Sequence, residues 1–111
     1  MLKWYRDLYI GEGVRKQYQN LIAQLNAQKK VTGIYLITYA LNQKNQLEII
    51  NSAFLVQKAL YKLTPEVIGI AGTRREAVGI IADIVEACYR ETGDADLRSY
   101  LHLKEIPISE K

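Results

Sequence analysis

The residues best suited to chemistry lie in the stretch "GIAGTRREAVGII", residues 69–81. A short apolar run ends at Gly72, and Thr73, Arg74 and Arg75 then open an amphipathic segment. A glycine loop that leads into a helix presents unpaired backbone N–H groups at the positive end of the helix, which favours a bound anion. We therefore predict a candidate site for a phosphate or carboxylate at Gly72, Thr73, Arg74 and Arg75.

The same stretch also has a structural interpretation. It lacks the Gly-Lys-Ser/Thr ending of a Walker loop and the three-glycine spacing of a dinucleotide loop. Thr73 and Glu76 have the spacing of a capping box, which contributes on the order of 1 kcal/mol to a helix start. Capping leaves Arg74 and Arg75 unexplained, because cations are disfavoured in the first turn of a helix. The pattern favours a helix start, with anion binding as the alternative.

The other reactive residues do not indicate an enzyme. His102 is the only histidine, and catalysis by histidine needs an orienting or nucleophilic partner that the sequence does not identify. Cys88 is the only cysteine and lies on an apolar helical face, which indicates a buried structural thiol. Asp94 and Asp96 follow Gly93 and favour a turn. We expect no catalytic residues, no metal site and no cofactor.

Charge is unevenly distributed along the chain. The net charge is +3, but residues 1–62 carry nine Lys or Arg against three acids, whereas residues 63–111 carry six against nine. Such asymmetry is typical of a basic binding face or of a surface that pairs with its own copy. Eight tyrosines would add stacking platforms for bases. The nucleic-acid alternative uses Arg15, Lys16, Lys29 and Lys30, together with Arg74.

Periodicity predicts an α/β fold with the order helix, strand, helix, strand, helix. The predicted helices span about 14–28, 45–62 and 74–92, and the predicted strands span about 31–41 and 67–71. A strand–helix–strand unit implies a parallel pair. We therefore expect a small, mainly parallel sheet that is completed by the termini or by a second subunit.

Residues 45–62 are open to two interpretations. As a helix, the segment begins at Asn45 with Glu48 three residues later, as in a capping box. As a hairpin, "NQKN" is a polar turn between "LITYAL" and "LEIINSAFLV". We favour the helix, because Leu47 to Lys62 is long for one strand and holds no turn residue.

Length and composition indicate a single domain over residues 1–111, with short docking termini at about 1–12 and 94–111. The apolar residues of the second terminus are too many for a purely solvated tail, and they could add an edge strand or dock on a neighbouring chain. One cysteine, no visible signal peptide and no apolar run of membrane-spanning length lead us to expect a cytoplasmic protein without a membrane partner.

Three stretches resemble a family when taken together: "LYIGEGVRK", "LITYALNQKNQLEII" and "YRETGDADLRSYL". They resemble a group of small bacterial α/β proteins to which no function is assigned, and the resemblance spans most of the chain. It implies a bacterial cytoplasmic protein in which the middle segment is helical. It implies no site residues.

The sequence therefore predicts a non-enzymatic interaction or binding module that acts as a homo-oligomer. Its partner would be itself or another protein, and its interaction surface would be formed by helix 14–28 and the termini. One alternative is a nucleic-acid-binding protein that uses the basic first half. The other is a small enzyme or ligand-binding protein with an anion site at 69–76.

Overall fold

The computed structural model describes residues 2–42 and 45–105, which form a four-stranded sheet between two layers of helices. The strands are β1 (Trp4–Ile10), β2 (Tyr35–Tyr39), β3 (Leu47–Asn51) and β4 (Val67–Ala71). The helices are α1 (Tyr18–Asn26), α2 (Lys58–Leu63), α3 (Arg74–Thr92) and α4 (Leu97–Glu105), with short 3-10 helices at Glu12–Val14 and Ser52–Val56. Strand order in the sheet is β1-β4-β2-β3.

The predicted element order and sheet direction were wrong. The first element is a strand, and only the β1–β4 pair is parallel, whereas β2–β3 and β2–β4 are antiparallel. The N-terminal segment "WYRDLYI" forms β1. This strand pairs with β4, whose residues lie more than 50 positions further along the chain. The antiparallel β2–β3 pair follows from the hairpin that joins these two strands.

The predicted helix over 45–62 was also wrong. Residues 47–51 form β3, which pairs with β2 from Tyr35↔Asn51 to Tyr39↔Leu47. Ile49 and Ile50 are β-branched residues that pack well as cross-strand pairs. The Asn51 side chain then accepts a hydrogen bond of 3.0 Å from the Ala53 N–H group and ends the strand. Residues 43 and 44 of the polar turn lie outside the described residues.

The most local predictions were confirmed. Strand 67–71 and helix 74–92 have the predicted bounds. Thr73 caps α3 through its Oγ1 atom, which accepts a 3.0 Å hydrogen bond from the Glu76 N–H group, and Gly93 ends the helix in the left-handed conformation. Helix 14–28 and strand 31–41 are shorter than predicted, at 18–26 and 35–39.

Each face of the sheet has its own apolar core. Helices α3 and α4 cover one face, and α1, α2 and the 3-10 helices cover the other. The first core includes Tyr5, Ile37, Ile68, Ala77, Ile84, Cys88, Tyr100 and Leu101, and the second includes Val14, Leu25, Leu36, Leu55, Tyr61, Val67 and Ile70. The termini therefore contribute to the fold itself through β1 and α4, while residues 106–111 of the predicted docking tail lie outside the described residues.

Candidate functional site

The loops after β1 and β4 meet at one end of the sheet, because these strands are parallel neighbours. The carboxylate of Glu76 lies between the two loops. Its Oε1 atom accepts a 2.8 Å hydrogen bond from the Gly72 N–H group, and its Oε2 atom accepts one of 2.9 Å from the Gly13 N–H group. An acidic side chain of the same chain therefore occupies the backbone N–H groups that an external anion would use.

Close packing explains the glycines at this position. A Cβ atom on Gly11 would collide with the Glu76 carboxylate, and one on Gly13 would crowd the same oxygens. We call Gly11, Gly13, Gly72 and Glu76 the glutamate clasp. The predicted capping box is therefore half realised, since Thr73 caps as expected while Glu76 bonds to two glycines. Spacing alone did not link Gly13 to Glu76, which lies 63 residues away.

The anion site at Gly72, Thr73, Arg74 and Arg75 stays a prediction. Both arginine side chains are exposed, and among the side chains that the structure describes, no carboxylate lies within salt-bridge distance of either. An external anion on the Gly72 N–H group would have to displace the Glu76 carboxylate. Arg74 also lines an open groove with Leu47 of β3, so its position is explained equally well by the neighbouring strand.

The predicted nucleic-acid residues lie in two pairs on either side of α1. Arg15 and Lys16 precede α1, whereas Lys29 and Lys30 follow it, and a helix of this length separates its ends by about 14 Å. Arg15 is partly neutralised, because its Nε atom lies 3.0 Å from the Glu12 carboxylate. The structure does not bring the four cations together.

The remaining reactive residues have structural roles. Cys88 is buried, as predicted, and its thiol lies 3.3 Å from the Asp94 carbonyl oxygen. The predicted turn after Gly93 is confirmed, because Asp94 Oδ1 accepts from the Asp96 N–H group and Asp96 Oδ1 accepts from the Ser99 N–H group. Within residues 2–42 and 45–105, no group of three His, Cys, Asp or Glu side chains could hold a metal ion.

A cleft of about 590 Å³ opens at the other end of the sheet. Its polar lining combines Lys3, Lys62, Glu66 and His102, and the His102 ring centroid lies 5.5 Å from that of Tyr39. Tyr61 also lines the cleft, and burial raises the pKa of its phenol above the ordinary value. Both signs of charge are present, so the lining selects no single class of ligand.

Strand β3 is an edge strand with an outward row of backbone groups. Ala40 N–H donates to the Gln46 carbonyl at 3.0 Å, and Ser52 N–H donates to the Ile34 carbonyl at 2.9 Å. Because bonded pairs alternate along an antiparallel ladder, Glu48 and Ile50 bond to β2. The N–H and C=O groups of residues 47, 49 and 51 therefore point away from the sheet. In the described part of the chain no strand pairs with them.

Exposed apolar side chains flank this edge on the face that carries α2. They surround a groove of about 210 Å³ whose lining is almost entirely apolar. Phe54 is 55% exposed and Leu63 is 60% exposed at its rim, although both are large apolar residues that normally lie inside. The groove is lined by Leu41, Glu48, Ile50, Phe54, Leu55, Leu60, Leu63, Thr64 and Pro65.

A second apolar stripe flanks the edge on the face that carries α3. Val78, Val85 and Tyr89 are exposed, and their spacing, with half-buried Ile81 between them, places them on one side of the helix. Ile81 lines a groove with Leu47 and Ile49, so this side of α3 faces β3. We define the β3-edge surface by three sets of residues. It comprises the outward edge of residues 47–51, the rim residues Leu41, Phe54, Leu60 and Leu63, and the stripe residues Val78, Val85 and Tyr89.

The sequence-based interpretation missed this surface for one reason. It assigned residues 45–62 to a single helix, and an amphipathic helix buries its apolar face. The available signal was the polar segment "NQKN" between two apolar, β-branched runs, which is typical of a hairpin. With that assignment, β3 becomes an edge strand and its apolar neighbours become a surface.

Comparison with protein-family models, with curated protein sequences and with solved structures gave no match for this chain. A search of the described helices found none that combines the length and the apolar character needed to cross a membrane.

Proposed function

We propose that this protein is a non-enzymatic interaction module and that the β3-edge surface is where its partner docks. One observation carries the proposal: among the described residues, an edge strand whose outward row has no pairing strand lies between exposed apolar side chains on both faces of the sheet. The exposed set includes Leu41, Phe54, Leu60 and Leu63 on one face and Val78, Val85 and Tyr89 on the other.

Edge strands of monomeric proteins usually carry features that prevent association. These features are lysine, proline, a bulge or a covering helix. Strand β3 reads "LEIIN" with one charged residue, and its ladder to β2 is regular over all five positions. A clustered apolar surface beside such a strand is typical of a site where another polypeptide binds.

Binding would use two physical contributions. Main-chain hydrogen bonds to residues 47, 49 and 51 would add a strand to the sheet, a recurring mode of polypeptide recognition. Apolar burial on both faces would supply most of the free energy, because each large side chain that leaves water contributes about 1.5–3 kcal/mol. We place this module in the cytoplasm, which suits its one free, buried cysteine.

The two alternative functions have weaker support. The basic residues around α1 are split between its two ends, and the Gly72 N–H group of the 69–76 turn already donates to the Glu76 carboxylate, which also accepts from the Gly13 N–H group. Neither arrangement favours nucleic acid or an external anion over a docked polypeptide.

Site-specific photo-crosslinking in cells that produce the protein tests the proposal. A photoreactive residue replaces Phe54 in one variant and Gln19, an exposed residue of α1, in the matched control. We expect a covalent protein adduct from position 54 and none from position 19. If position 54 of the folded protein yields no adduct, the β3-edge surface has no partner and the proposal fails.

A further inference from the structure

We infer that the partner is a second copy of this chain, joined through antiparallel pairing of β3 with β3 about a two-fold axis at Ile49. This inference rests on the proposed function of the β3-edge surface and names its occupant. The product is a continuous eight-stranded sheet across two copies, an isologous arrangement in which the same surface serves both partners.

The backbone determines the register. Only residues 47, 49 and 51 point their N–H and C=O groups outward, and hydrogen-bonded pairs must use outward groups on both strands. Pairing Ile49 with its own copy also pairs Leu47 with Asn51 of the second copy, on both sides of the axis. Each bonded pair exchanges two hydrogen bonds, so this register forms about six. A shift by one residue would oppose outward groups to groups already bonded to β2, and a shift by two residues would leave only two bonded pairs within residues 47–51.

The same axis brings the two α3 stripes together. An axis perpendicular to the sheet keeps both copies of α3 on one face and makes them antiparallel. Val78 of one copy then lies opposite Val85 of the other, and Arg74 lies opposite Tyr89. A guanidinium over a tyrosine ring is a favourable cation–π contact. This arrangement gives Arg74, exposed and without a carboxylate partner among the described side chains, a reason for its position.

Charge and shape favour a second copy over an unrelated polypeptide. In this register Glu48, the only charged residue of β3, lies opposite Ile50 of the second copy, so the two glutamates are diagonal neighbours about 7–8 Å apart and are not directly opposed. On the α2 face, each copy presents the exposed apolar rim residues Phe54 and Leu63 beside the shared edge. The β3 edge therefore has no pairing strand among the described residues, is flanked by apolar side chains, and places no two like charges directly opposite each other when it meets its own copy. Such a surface is self-complementary.

Cysteine crosslinking tests the register directly. Glu48→Cys and Ile50→Cys occupy a non-bonded cross-strand pair, where Cα atoms lie about 4.5 Å apart, within disulfide range. We expect oxidation of the mixed variants to form a disulfide-linked dimer, at least about tenfold more than either variant alone, because identical residues sit on a diagonal of about 7–8 Å. The native Cys88 is buried, and each variant alone controls for it.

A surface variant tests the same arrangement without cysteines. Val85→Asp, at a position 38% exposed, should weaken dimerisation about 100-fold or more, as measured by sedimentation, since two desolvated carboxylates would face the apolar stripe. Gln19→Asp on α1 is the matched control and should leave dimerisation unchanged. A monomeric parent protein, or equal crosslinking in single and mixed variants, would overturn the inference.

The two proposals fail separately. A monomer in sedimentation whose position 54 crosslinks to a different protein in cells overturns the second-copy inference and leaves the interaction module standing. A monomer with no adduct at position 54 overturns both.

Discussion

The two edge strands of the sheet, β1 and β3, differ in the features that prevent or allow the addition of another strand. Strand β1 carries the exposed charges Arg6 and Asp7 and a register shift against β4, features that discourage strand addition. Strand β3 is regular, carries one charge and is flanked by apolar surface. The β1 edge therefore carries features that discourage strand addition, and the β3 edge lacks them among the described residues, as the proposed docking surface requires.

The chain also secures β1 with its own side chains. Asn26 Oδ1 accepts a 3.3 Å hydrogen bond from the Leu2 N–H group and one of 2.8 Å from Trp4 Nε1. At the other end of the strand, the glutamate clasp ties the loop after β1 to the loop after β4. The β1 edge is therefore held by internal contacts, whereas the proposal assigns a partner to the β3 edge, and the two edges can be perturbed separately.

The largest expected effect is on stability at the β1 side. Glu76→Ala removes an ionised acceptor from two backbone N–H groups, and we expect a loss of about 3 kcal/mol in the free energy of unfolding, measured by urea denaturation. Glu86→Ala, whose carboxylate pairs with Arg90 at 3.4 Å on the surface, should cost less than about 0.5 kcal/mol. The dimer should survive in both variants, and equal losses would contradict the clasp.

A double-mutant cycle isolates this contact. Gly11→Ala places a Cβ atom where the Glu76 carboxylate lies, so its cost is bounded by the free energy of the clasp. We expect a loss of about 2 kcal/mol in the parent background and less than about 0.5 kcal/mol when Glu76 is already Ala. Additive losses would show that Gly11 acts independently of Glu76.

The second effect concerns the β3 edge. Raising the protein concentration should slow hydrogen exchange at the amides of Leu47, Ile49 and Asn51 by about 30-fold or more, equivalent to about 2 kcal/mol. Amides of β1 should exchange at rates independent of concentration, and Val85→Asp should abolish the concentration dependence at β3. If exchange at all three β3 amides were also independent of protein concentration, the two edges would behave alike and the prediction would be wrong.

A smaller effect follows from Asn26. Asn26→Ala leaves the Leu2 N–H group and the Trp4 indole without their acceptor, and should cost about 1–1.5 kcal/mol, measured by urea denaturation. Because Trp4 is the only tryptophan, its fluorescence reports this edge alone and should shift to longer wavelength. Asn20→Ala, an exposed position on the same helix, is the control and should change neither the emission nor the stability appreciably.

The smallest effect is a pH dependence at the cleft beside β1. Burial raises the pKa of Tyr61 above its ordinary value of 10.0, so the folded protein holds this proton more tightly than the unfolded chain does. The contribution of Tyr61 to the free energy of unfolding is therefore fully present below about pH 10. It is lost as the pH rises through the pKa that Tyr61 has in the folded protein. Urea denaturation from pH 9 upward should show a flatter decline for Tyr61→Phe than for the parent, and identical slopes would contradict it.

Local signals predicted part of the fold correctly. Strand 67–71 and helix 74–92 were predicted because Thr73 and Gly93 mark the helix ends and the apolar period is unbroken. Residues 45–62 were misread because their apolar residues suit either a helix face or a strand followed by a turn of helix. Pairing with β2 selects the strand. The sequence of one segment alone does not show which other strand it will pair with.

The candidate site was less predictable than the fold. Arg74 was singled out for an anion, and its geometry relates it to the β3 edge as well as to the turn. The role of Gly11 and Gly13 could not be predicted, since it depends on Glu76, more than 60 residues away. The exposed rim around Phe54 could not be predicted while residues 45–62 were assigned to one helix.

By itself the sequence determined an α/β chain with one cysteine, a capped α3 and a strand leading into it, because caps and periodicity act over a few residues. Only the tertiary structure decided that "WYRDLYI" joins β4, that Glu76 occupies its own backbone anion site, and that β3 is an unprotected edge. Each of these depends on contacts between distant segments, whose partners are set by packing of the whole sheet and not by any local pattern.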